Sequence, residues 1–469
     1  MPKKNNKKKR DKEKKLRKKE KRALKKARKQ ARREQAAKVK QTVPKTTMTK
    51  KTKGTRRTKK TTSTKSPVKT TKTRKTKKTR RAGAVRKAAK VVTAAKDKKT
   101  TKTKKTAITA REAAKSLLIL VINPGSTSTK VAVYLGDKPM AQESIEHDKA
   151  EIEKYAKIVD QYPMRKQVVL DFLARHRIEV KSLKAVVDRG GLLKPISSGT
   201  YRVNDAMLAD LRAAARGEHI SNVGAFIARE IADQAKCEAF IVDAVSVDEF
   251  TPLARVSGLA GIERKSLLHA LNMRMAELQA CATLRKKLSD VNLIVAHLGG
   301  GISISPVDHG KFVDVNNANE SGPFAPERAG GVPMAGLVQL CFSGKYTKDE
   351  IVKKLTRSGG LTAYLGTNSA KEVVARASGG DAKATEVLQA MCYQVAKEIG
   401  NCATVLKGSV DAIVITGGVA HNALITDWIK QRVGFITKNY LVFPGEDEMP
   451  ALAAGALRVL RGEEKAREY

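Results

Sequence analysis

The 469-residue sequence predicts an α/β protein in which two domains of similar design face each other across a cleft, behind a long basic tail. Three observations lead to this prediction. The composition changes abruptly near residue 116, a strand–turn–strand pattern occurs twice after that point, and helical patterns follow both copies. The 353 residues after the change exceed the size at which a single core usually stops growing, which favours two domains.

The tail differs from the rest of the chain in charge. Residues 1–116 hold 50 Lys and Arg against 6 Asp and Glu, a charge of +44, whereas the remainder carries only +4. The tail has no aromatic residue, so we expect it to be disordered, because it cannot bury enough apolar surface to offset the entropy of ordering. Such a segment binds polyanions through counterion release. We therefore expect association with DNA or ribosomal RNA, with a solubilising arm or a misassigned start as alternatives.

The sequence favours a cytoplasmic protein without membrane contact. No apolar run approaches the roughly 20 residues of a membrane-spanning helix, and the start does not resemble a secretory signal. The length and Lys/Thr bias of the tail argue against an organelle transit peptide. Five dispersed cysteines indicate reduced thiols; they are Cys237, Cys281, Cys341, Cys392 and Cys402.

The repeated pattern predicts a three-stranded antiparallel meander with a Gly-rich first turn in each domain. Its copies start about 175 residues apart, at "SLLILVINPGSTSTKVAVYLGDKP" and "VNLIVAHLGGGISISPVDHGKFVDV". The predicted strands are 117–122, 131–135 and 140–146 in the first copy and 291–298, 302–307 and 312–315 in the second. Helices are predicted over 165–177 and 380–406.

Three Gly-rich turns at strand ends are candidate phosphate sites. They lie in "NPGSTSTK", at Gly299–Gly301 and at Gly417–Gly418. Glycine lets backbone N–H groups approach an anion without a Cβ in the way. None is a Walker P-loop, because the first turn lacks the second Gly before Lys130 and Val131 follows that lysine. Each turn taken singly is more typical of structure, but three of them, two in a repeated context, favour a nucleotide between the domains.

Together, nine segments resemble the butyrate kinase branch of the acetate kinase family, within the sugar-kinase, actin and heat-shock-chaperone superfamily. They are "INPGSTSTK", "DRGGLLKPISSGTY", "HISNVGAFIARE", "VSVDEFTPLARVSGL", "ERKSLLHALN", "AHLGGGISIS", "DVNNANESGPFAPERAGG", "ITGGVAHN" and "PGEDEMPALAAGAL". The resemblance covers residues 117–469 in order and excludes the tail.

The resemblance implies two ribonuclease-H-like domains, 117–245 and 246–447, with 448–469 returning to the first. It implies reversible phosphoryl transfer from ATP to butyrate or a similar short-chain carboxylate, with Mg²⁺, in a dimer or larger homo-oligomer. Kinases for acetate, propionate or branched acids remain alternatives, as does a nucleic-acid-associated protein with a vestigial kinase body.

The resemblance also implies roles for individual residues. Arg189 and Arg328 match arginines that hold the carboxylate or the transferring phosphoryl group, and His269 matches a histidine that hydrogen-bonds that group. Ordinary alternatives are a surface Arg189, an Arg328–Glu327 ion pair and a core histidine. The implied nucleotide-binding residues are Asn123, Ser126, Ser128, Lys130, His297, Gly299, Gly300, Gly301, Gly417, Gly418 and Asn422.

Two carboxylates match metal-side positions of the family. Asp243 matches the one that orients Mg²⁺ through water, and Glu448 matches the second, with Asp447 one residue away as the alternative. Asp188 departs from the family pattern, which has Gly there. An aspartate beside Arg189 is expected to compete for its charge and weaken carboxylate binding.

Overall fold

The computed structural model describes residues 117–469, so every expectation for the tail lies outside the described residues. Within them the chain forms two mixed β-sheets with helices against both faces, which confirms the predicted α/β class. No helix of the described part is long and apolar enough to cross a bilayer.

The two sheets share one central topology. The first contains β1 (Leu118–Pro124), β2 (Ser128–Leu135), β3 (Lys138–Glu146), β4 (Leu183–Asp188), β5 (Thr200–Arg202) and β6 (Glu238–Val242), in the order β3-β2-β1-β4-β6-β5. The second contains β7 (Asn292–Leu298), β8 (Ile302–Asp308), β9 (Lys311–Phe312), β10 (Ala412–Gly417) and β11 (Tyr440–Pro444), in the order β11-β10-β7-β8-β9. In each, an antiparallel meander continues into parallel strands on the far side of its first strand.

The second meander differs from its prediction in its third strand, which is only Lys311–Phe312 rather than 312–315. Strand β8 is buried on both faces, because Ile302 and Ile304 pack in one core cluster and Val307 packs in another. A sheet covered by helices on both sides imposes burial on both faces.

Thirteen helices connect the strands in the described part. They are α1 (Lys149–Ile152), α2 (Tyr162–Arg175), α3 (Asp205–Ala213), α4 (Gly224–Ala235), α5 (Pro252–Arg255), α6 (Ala270–Leu284), α7 (Met334–Cys341), α8 (Lys348–Thr356), α9 (Gly360–Leu365), α10 (Ala370–Ser378), α11 (Ala382–Val405), α12 (Ala423–Val433) and α13 (Glu448–Leu460). Helices α2 and α11 correspond to the predicted 165–177 and 380–406. Helix α11 begins where the Asp381 side chain accepts the Ala384 N–H at 2.9 Å.

The last helix links the two halves of the molecule. Helix α13 packs on β1, β4 and β6 of the first sheet and on α6, which covers β7 and β10 of the second. Leu452 and Ala456 of α13 are fully buried against Ile119 and Val121. This docking brings Glu448, the first residue of α13, to the carboxyl ends of β1 and β4.

Parallel strands end at the same sheet edge, where ligands of open α/β sheets usually bind. Strands β1 and β4 end at Pro124 and Asp188, and β7 and β10 end at Leu298 and Gly417. All three Gly-rich turns therefore leave their sheets at carboxyl-terminal edges.

Candidate active site

A cavity of about 340 Å³ brings together residues from both halves of the described chain. Its lining consists of Arg189, Gly190, Leu192, His219, Ser221, Val245, Leu267, Leu268, His269, Ser303, Asn319 and Arg328. Three residues predicted to be catalytic therefore share one space, although 139 sequence positions separate Arg189 from Arg328. A cavity of about 810 Å³ adjoins it, since both are lined by Leu192, Val245 and Leu267.

Arg189 enters the cavity from the turn after β4. Its Nη2 lies 3.1 Å from Glu448 Oε1, and Glu448 Oε2 accepts a hydrogen bond of 2.6 Å from Asn123 Nδ2. Gly190 has φ of +77°, and a Cβ there would meet Ala244 and Ile241 at 3.0 Å. The turn therefore requires glycine, and it directs Arg189 to the end of helix α13.

Arg328 reaches the same space from the second half of the molecule. A Cβ on Gly301 would overlap its guanidinium, so the arginine packs directly on the second Gly-rich turn. Burial lowers the pKa of Arg328 from the usual arginine value. Its alternative partner, Glu327, accepts a hydrogen bond of 2.5 Å from Asn368 Nδ2.

His269 lies at the start of α6, between the two arginines. Its Nδ1 is 2.9 Å from Ser303 Oγ, and its ring stacks on His297 with centroids 4.1 Å apart. Burial, together with the nearby His297, Arg328 and Arg189, lowers the pKa of His269 well below 6.5. The ring is therefore neutral at pH 7. In the tautomer in which the Ser303 hydroxyl donates to Nδ1, the imidazole carries its proton on Nε2.

His297 lies behind the second turn rather than on it. The side chain is fully buried on β7, and Nε2 lies 3.2 Å from Glu446 Oε1. A Cβ on Gly299 would meet Glu446 Oε1 at 2.6 Å, so glycine is needed for this approach. His297 therefore supports the turn and the His269 ring, and it has no exposed surface for a ligand.

The first turn is shorter than predicted. Strand β2 begins at Ser128, so Ser128 and Lys130 lie on a strand and only Gly125–Thr127 remain as the turn. Lys130 is exposed and stands directly opposite Asn123 in the β1–β2 pair. Residues opposite each other in such a pair share one face, so Lys130 lies on the face that holds Asn123 and Glu448.

The third turn adjoins the second. Gly417 has φ of +94°, and a Cβ there would overlap the backbone of Leu298 at the end of β7. Gly418 N lies 3.5 Å from Glu446 Oε1, which places a carboxylate beside both turns. The nearby His297 ring lowers the pKa of Glu446. Asn422 caps α12 by accepting the Leu424 N–H at 3.1 Å.

Asp243 is not part of this cavity. It is buried and has φ of +42°, and its Oδ1 accepts hydrogen bonds from Ser198 Oγ at 3.0 Å and Gly199 N at 2.8 Å. Burial raises its pKa. The carboxylate lines a different cavity of about 570 Å³, together with Arg274 and Arg458. Asp243 thus has different hydrogen-bond partners from Glu448, the other predicted metal-side carboxylate.

The Asp188 side chain points into the core beside the turn that carries Arg189. Its Oδ2 accepts the Gly190 N–H at 2.8 Å, and Oδ1 is buried against Gly224 without a hydrogen-bond partner within the described residues. The carboxylate that competes for Arg189 is Glu448. Asp188 makes no ion pair with Arg189 in the described part of the chain, because its side chain turns into the core; that it weakens carboxylate binding stays a prediction.

The sequence did not reveal two further residues of the site. Arg165 is fully buried and holds the first turn from beneath through backbone carbonyls. Glu446 lies between the other two turns. No local pattern distinguishes Arg165 from other basic residues of the chain, whereas Glu446 lies within the acidic run 446–448, in which the sequence pointed to Glu448 and, as the alternative, Asp447.

The arrangement suits the binding of two anions. The guanidinium groups of Arg189 and Arg328 and the neutral imidazole of His269 line the cavity together, and the second Gly-rich turn adjoins it through Arg328, which packs on Gly301. Arginine holds carboxylate or phosphate oxygens in a forked geometry. The lining also includes four aliphatic side chains, Leu192, Val245, Leu267 and Leu268.

Known proteins share this fold. Residues 260–435 match the model described as the Acetokinase family. The chain is similar in structure to acetate kinase from Porphyromonas gingivalis (17% identity, TM-score 0.62), covering 73% of this chain and 100% of that one. It is also similar to a propionate kinase from Francisella tularensis subsp. tularensis SCHU S4 (18% identity, TM-score 0.56), covering 72% of this chain and 98% of that one. Acetate kinase from Entamoeba histolytica gives 16% identity and a TM-score of 0.57 over 72% of this chain and 98% of that one.

Proposed function

We propose that the protein is a carboxylate kinase that transfers the terminal phosphoryl group of ATP to a short-chain aliphatic acid, forming an acyl phosphate and ADP. One observation carries this proposal: two arginines and a neutral histidine line one cavity together with four aliphatic side chains. The Acetokinase-family match over residues 260–435 supports it.

The two arginines address the main obstacle to this reaction, which is repulsion between an anionic nucleophile and an anionic phosphate. Arg189 binds the attacking carboxylate, and Arg328, packed on Gly301, binds oxygens of the transferring group. Fixed cations in a site partly closed to water stabilise the charge of the transition state without reorganisation. Placing both reactants in line supplies much of the remaining acceleration.

His269 acts as a hydrogen-bond donor rather than a base. A carboxylate nucleophile has no proton to lose, so the reaction needs no general base. A neutral ring with its proton on Nε2 donates to a phosphoryl oxygen, while the Ser303 hydroxyl fixes its orientation. Stacking on the buried His297 ring holds the plane of the imidazole in place.

The side chains present fit a magnesium ion held chiefly by nucleotide and water. In the described part of the chain, no group of three or more His, Cys, Asp or Glu lies close enough to hold a metal. Mg²⁺ in nucleotide sites typically takes one or two protein carboxylates, with phosphates and waters completing its shell. Glu448, positioned by Asn123 and Arg189, provides such an oxygen. The bound ion supplies charge neutralisation of the phosphates.

We further propose butyrate, or an acid of similar size, as the preferred substrate. The resemblance of the nine sequence segments favours this branch. The aliphatic wall formed by Leu192, Val245, Leu267 and Leu268 offers an apolar surface for a short alkyl chain. The adjoining cavity provides a path by which the acid reaches Arg189.

A panel of carboxylic acids tests both the proposed reaction and the proposed substrate. Full-length protein is incubated with MgATP and acetate, propionate, butyrate, isobutyrate or valerate, and acyl phosphate is trapped as the hydroxamate while ADP is measured in a coupled assay. We expect equal amounts of both products, with the highest kcat/KM for butyrate or isobutyrate. A maximum at acetate corrects the substrate but not the reaction. Absence of hydroxamate with every acid overturns the proposal and favours a vestigial kinase body.

A further inference from the structure

A fully buried arginine lies beneath the first Gly-rich turn. Arg165 belongs to the first turn of α2, and its side chain has no exposed surface. Nη1 donates to Gly125 O at 3.0 Å and to Ser128 O at 2.9 Å, and Nη2 donates to Ser126 O at 3.2 Å. One guanidinium thus holds two carbonyl groups of the first turn and one at the start of β2.

The charge of Arg165 has no carboxylate partner among the described residues. Its other acceptors are neutral: Thr129 Oγ1 at 3.0 Å from Nη1, and Gln161 Oε1 at 3.1 Å from Nε and 3.0 Å from Nη2. Burial lowers the pKa of Arg165 to about 10, so it stays protonated at neutral pH. A buried charge without a counter-ion is costly, and the protein recovers part of that cost through these hydrogen bonds.

The contacts fix the direction of the backbone amides. A trans peptide directs its C=O and N–H in opposite directions, and the described chain contains no cis peptide. Because the carbonyls of Gly125 and Ser126 point at Arg165, the N–H groups of Ser126 and Thr127 point away from it. Neither amide donates a hydrogen bond within the described part, and both residues are exposed. Two free amides side by side form a receptor for an anion.

We propose that Arg165 is a positioning residue that shapes the first turn as a phosphate receptor and supplies a positive charge behind it. This inference rests on the proposed kinase function. Arg165 does not touch the nucleotide; it acts through the amides of Ser126 and Thr127. The chemical class that the turn receives is the phosphate chain of a nucleoside triphosphate.

The test compares Arg165→Met with the wild type in the full-length chain. MgATP, MgADP and adenosine are titrated by calorimetry, and KM is measured separately for ATP and for the carboxylate. Misplacing a binding group by about 1 Å costs on the order of 10²-fold, so we expect ATP affinity and kcat/KM for ATP to fall by about that factor. Adenosine affinity and the carboxylate KM are expected to stay close to wild type.

Two further variants separate positioning from general destabilisation. Arg165→Lys keeps the charge but loses the planar fork, so its ATP affinity is expected to lie between those of wild type and Arg165→Met. Arg229→Met removes a guanidinium that holds another backbone carbonyl of the first domain, Val203 O at 2.9 Å, and is expected to leave ATP affinity unchanged. If Arg165→Met does not fold, Gln161→Met provides a second test, because it removes only the acceptor that orients the Arg165 guanidinium. We expect it to weaken ATP binding in the same selective way.

The outcomes distinguish this inference from the proposed function. An active wild type with a folded Arg165→Met variant of unchanged ATP affinity overturns the role of Arg165 and leaves the kinase intact. Equal losses for ATP, adenosine and carboxylate also overturn it, because they indicate a general structural role. A wild type that forms no acyl phosphate but loses ATP binding on Arg165→Met supports the receptor and overturns the kinase.

Discussion

Arg189 Nη2 lies 3.1 Å from Glu448 Oε1, a contact that joins the end of β4 to the first residue of α13. Glu448 thus has two tasks in the proposed enzyme: it orients Arg189 and Asn123, and it offers an oxygen to the metal. In the proposed enzyme, a carboxylate substrate that binds Arg189 replaces part of this contact with its own oxygens.

The Glu448→Gln variant tests the metal-side task. The amide keeps a hydrogen-bonding oxygen but loses the charge that attracts Mg²⁺. We expect the Mg²⁺ concentration for half-maximal rate to rise by about 10–100-fold, measured by titrating free Mg²⁺ at fixed ATP. Asp447→Asn is the matched control, since it removes an exposed carboxylate one residue away. A larger shift in that control assigns the metal-side carboxylate to Asp447.

Replacing either cavity arginine, Arg189 or Arg328, by lysine keeps the positive charge but removes the planar guanidinium that can bind two oxygens at once. For Arg189→Lys and Arg328→Lys we expect kcat/KM to fall by about 10²–10³-fold, because each guanidinium stabilises charge in the transition state. Steady-state kinetics with ATP and the best acid provide the measurement. Arg376→Lys is the control, because Arg376 binds Asp381 and Leu365 O away from the cavity. Near-normal rates in both cavity variants contradict the proposed mechanism.

The pH dependence of kcat should show no ionisation of the His269 imidazole near neutrality. Its pKa lies well below 6.5 because the ring is buried beside His297 and two arginines, so it is already neutral at pH 6.5. We expect no ionisation of His269 in kcat between about pH 6.5 and 8. His269→Gln, which can donate a hydrogen bond, should retain more activity than His269→Ala. An ionisation near pH 7 that vanishes in His269→Gln contradicts this assignment.

Val245 offers a test of chain-length selection. Val245→Leu adds one methylene to the aliphatic wall, and one methylene is worth about 1–3 kcal/mol of discrimination. We expect the ratio of kcat/KM for butyrate to that for acetate to fall by about tenfold or more. The acid panel measures this ratio directly. An unchanged ratio shows that Val245 does not contact the acyl chain.

Asp188 should make stability depend on pH. Burial raises its pKa to about 7, against the opposing effects of the Gly190 and Arg189 amides and the Arg189 charge. An unfolded aspartate has a pKa of about 3.9, so from about pH 4 to 7 the folded state keeps a proton that the unfolded chain has lost. The free energy of unfolding should therefore fall as pH rises through this window, by on the order of a few kcal/mol.

Asp188→Asn removes that dependence. Urea unfolding at several pH values should show wild type losing stability relative to the variant between pH 4 and 7. Asp210→Asn is a control of opposite sign, because contacts with Lys194 and Tyr469 lower the pKa of Asp210. The stabilisation from Asp210 is present above the unfolded pKa and is lost as pH falls. Parallel curves for wild type and Asp188→Asn exclude a buried proton on Asp188.

The sequence alone determined the α/β class and the repeated meander, because strand periodicity and Gly-rich turns are local signals. It placed Arg189, His269 and Arg328 as candidates through motif resemblance, and the fold brings these three into one cavity. Two strand boundaries differ from the prediction by a few residues: β2 already begins at Ser128, and the third strand of the second meander is Lys311–Phe312. Strand ends depend on pairing with neighbouring strands, which the local sequence does not show.

Only the tertiary structure decided the direction of side chains. Asp188 and Arg189 are adjacent in sequence, yet one turns into the core and the other into the cavity. Asp243 turns toward Ser198, and Arg165 beneath the first turn is 40 positions from Gly125. Composition and spacing do not encode such contacts, because they arise from the packing of helices against two sheets. Burial then sets which charges stay paired and which protons are retained.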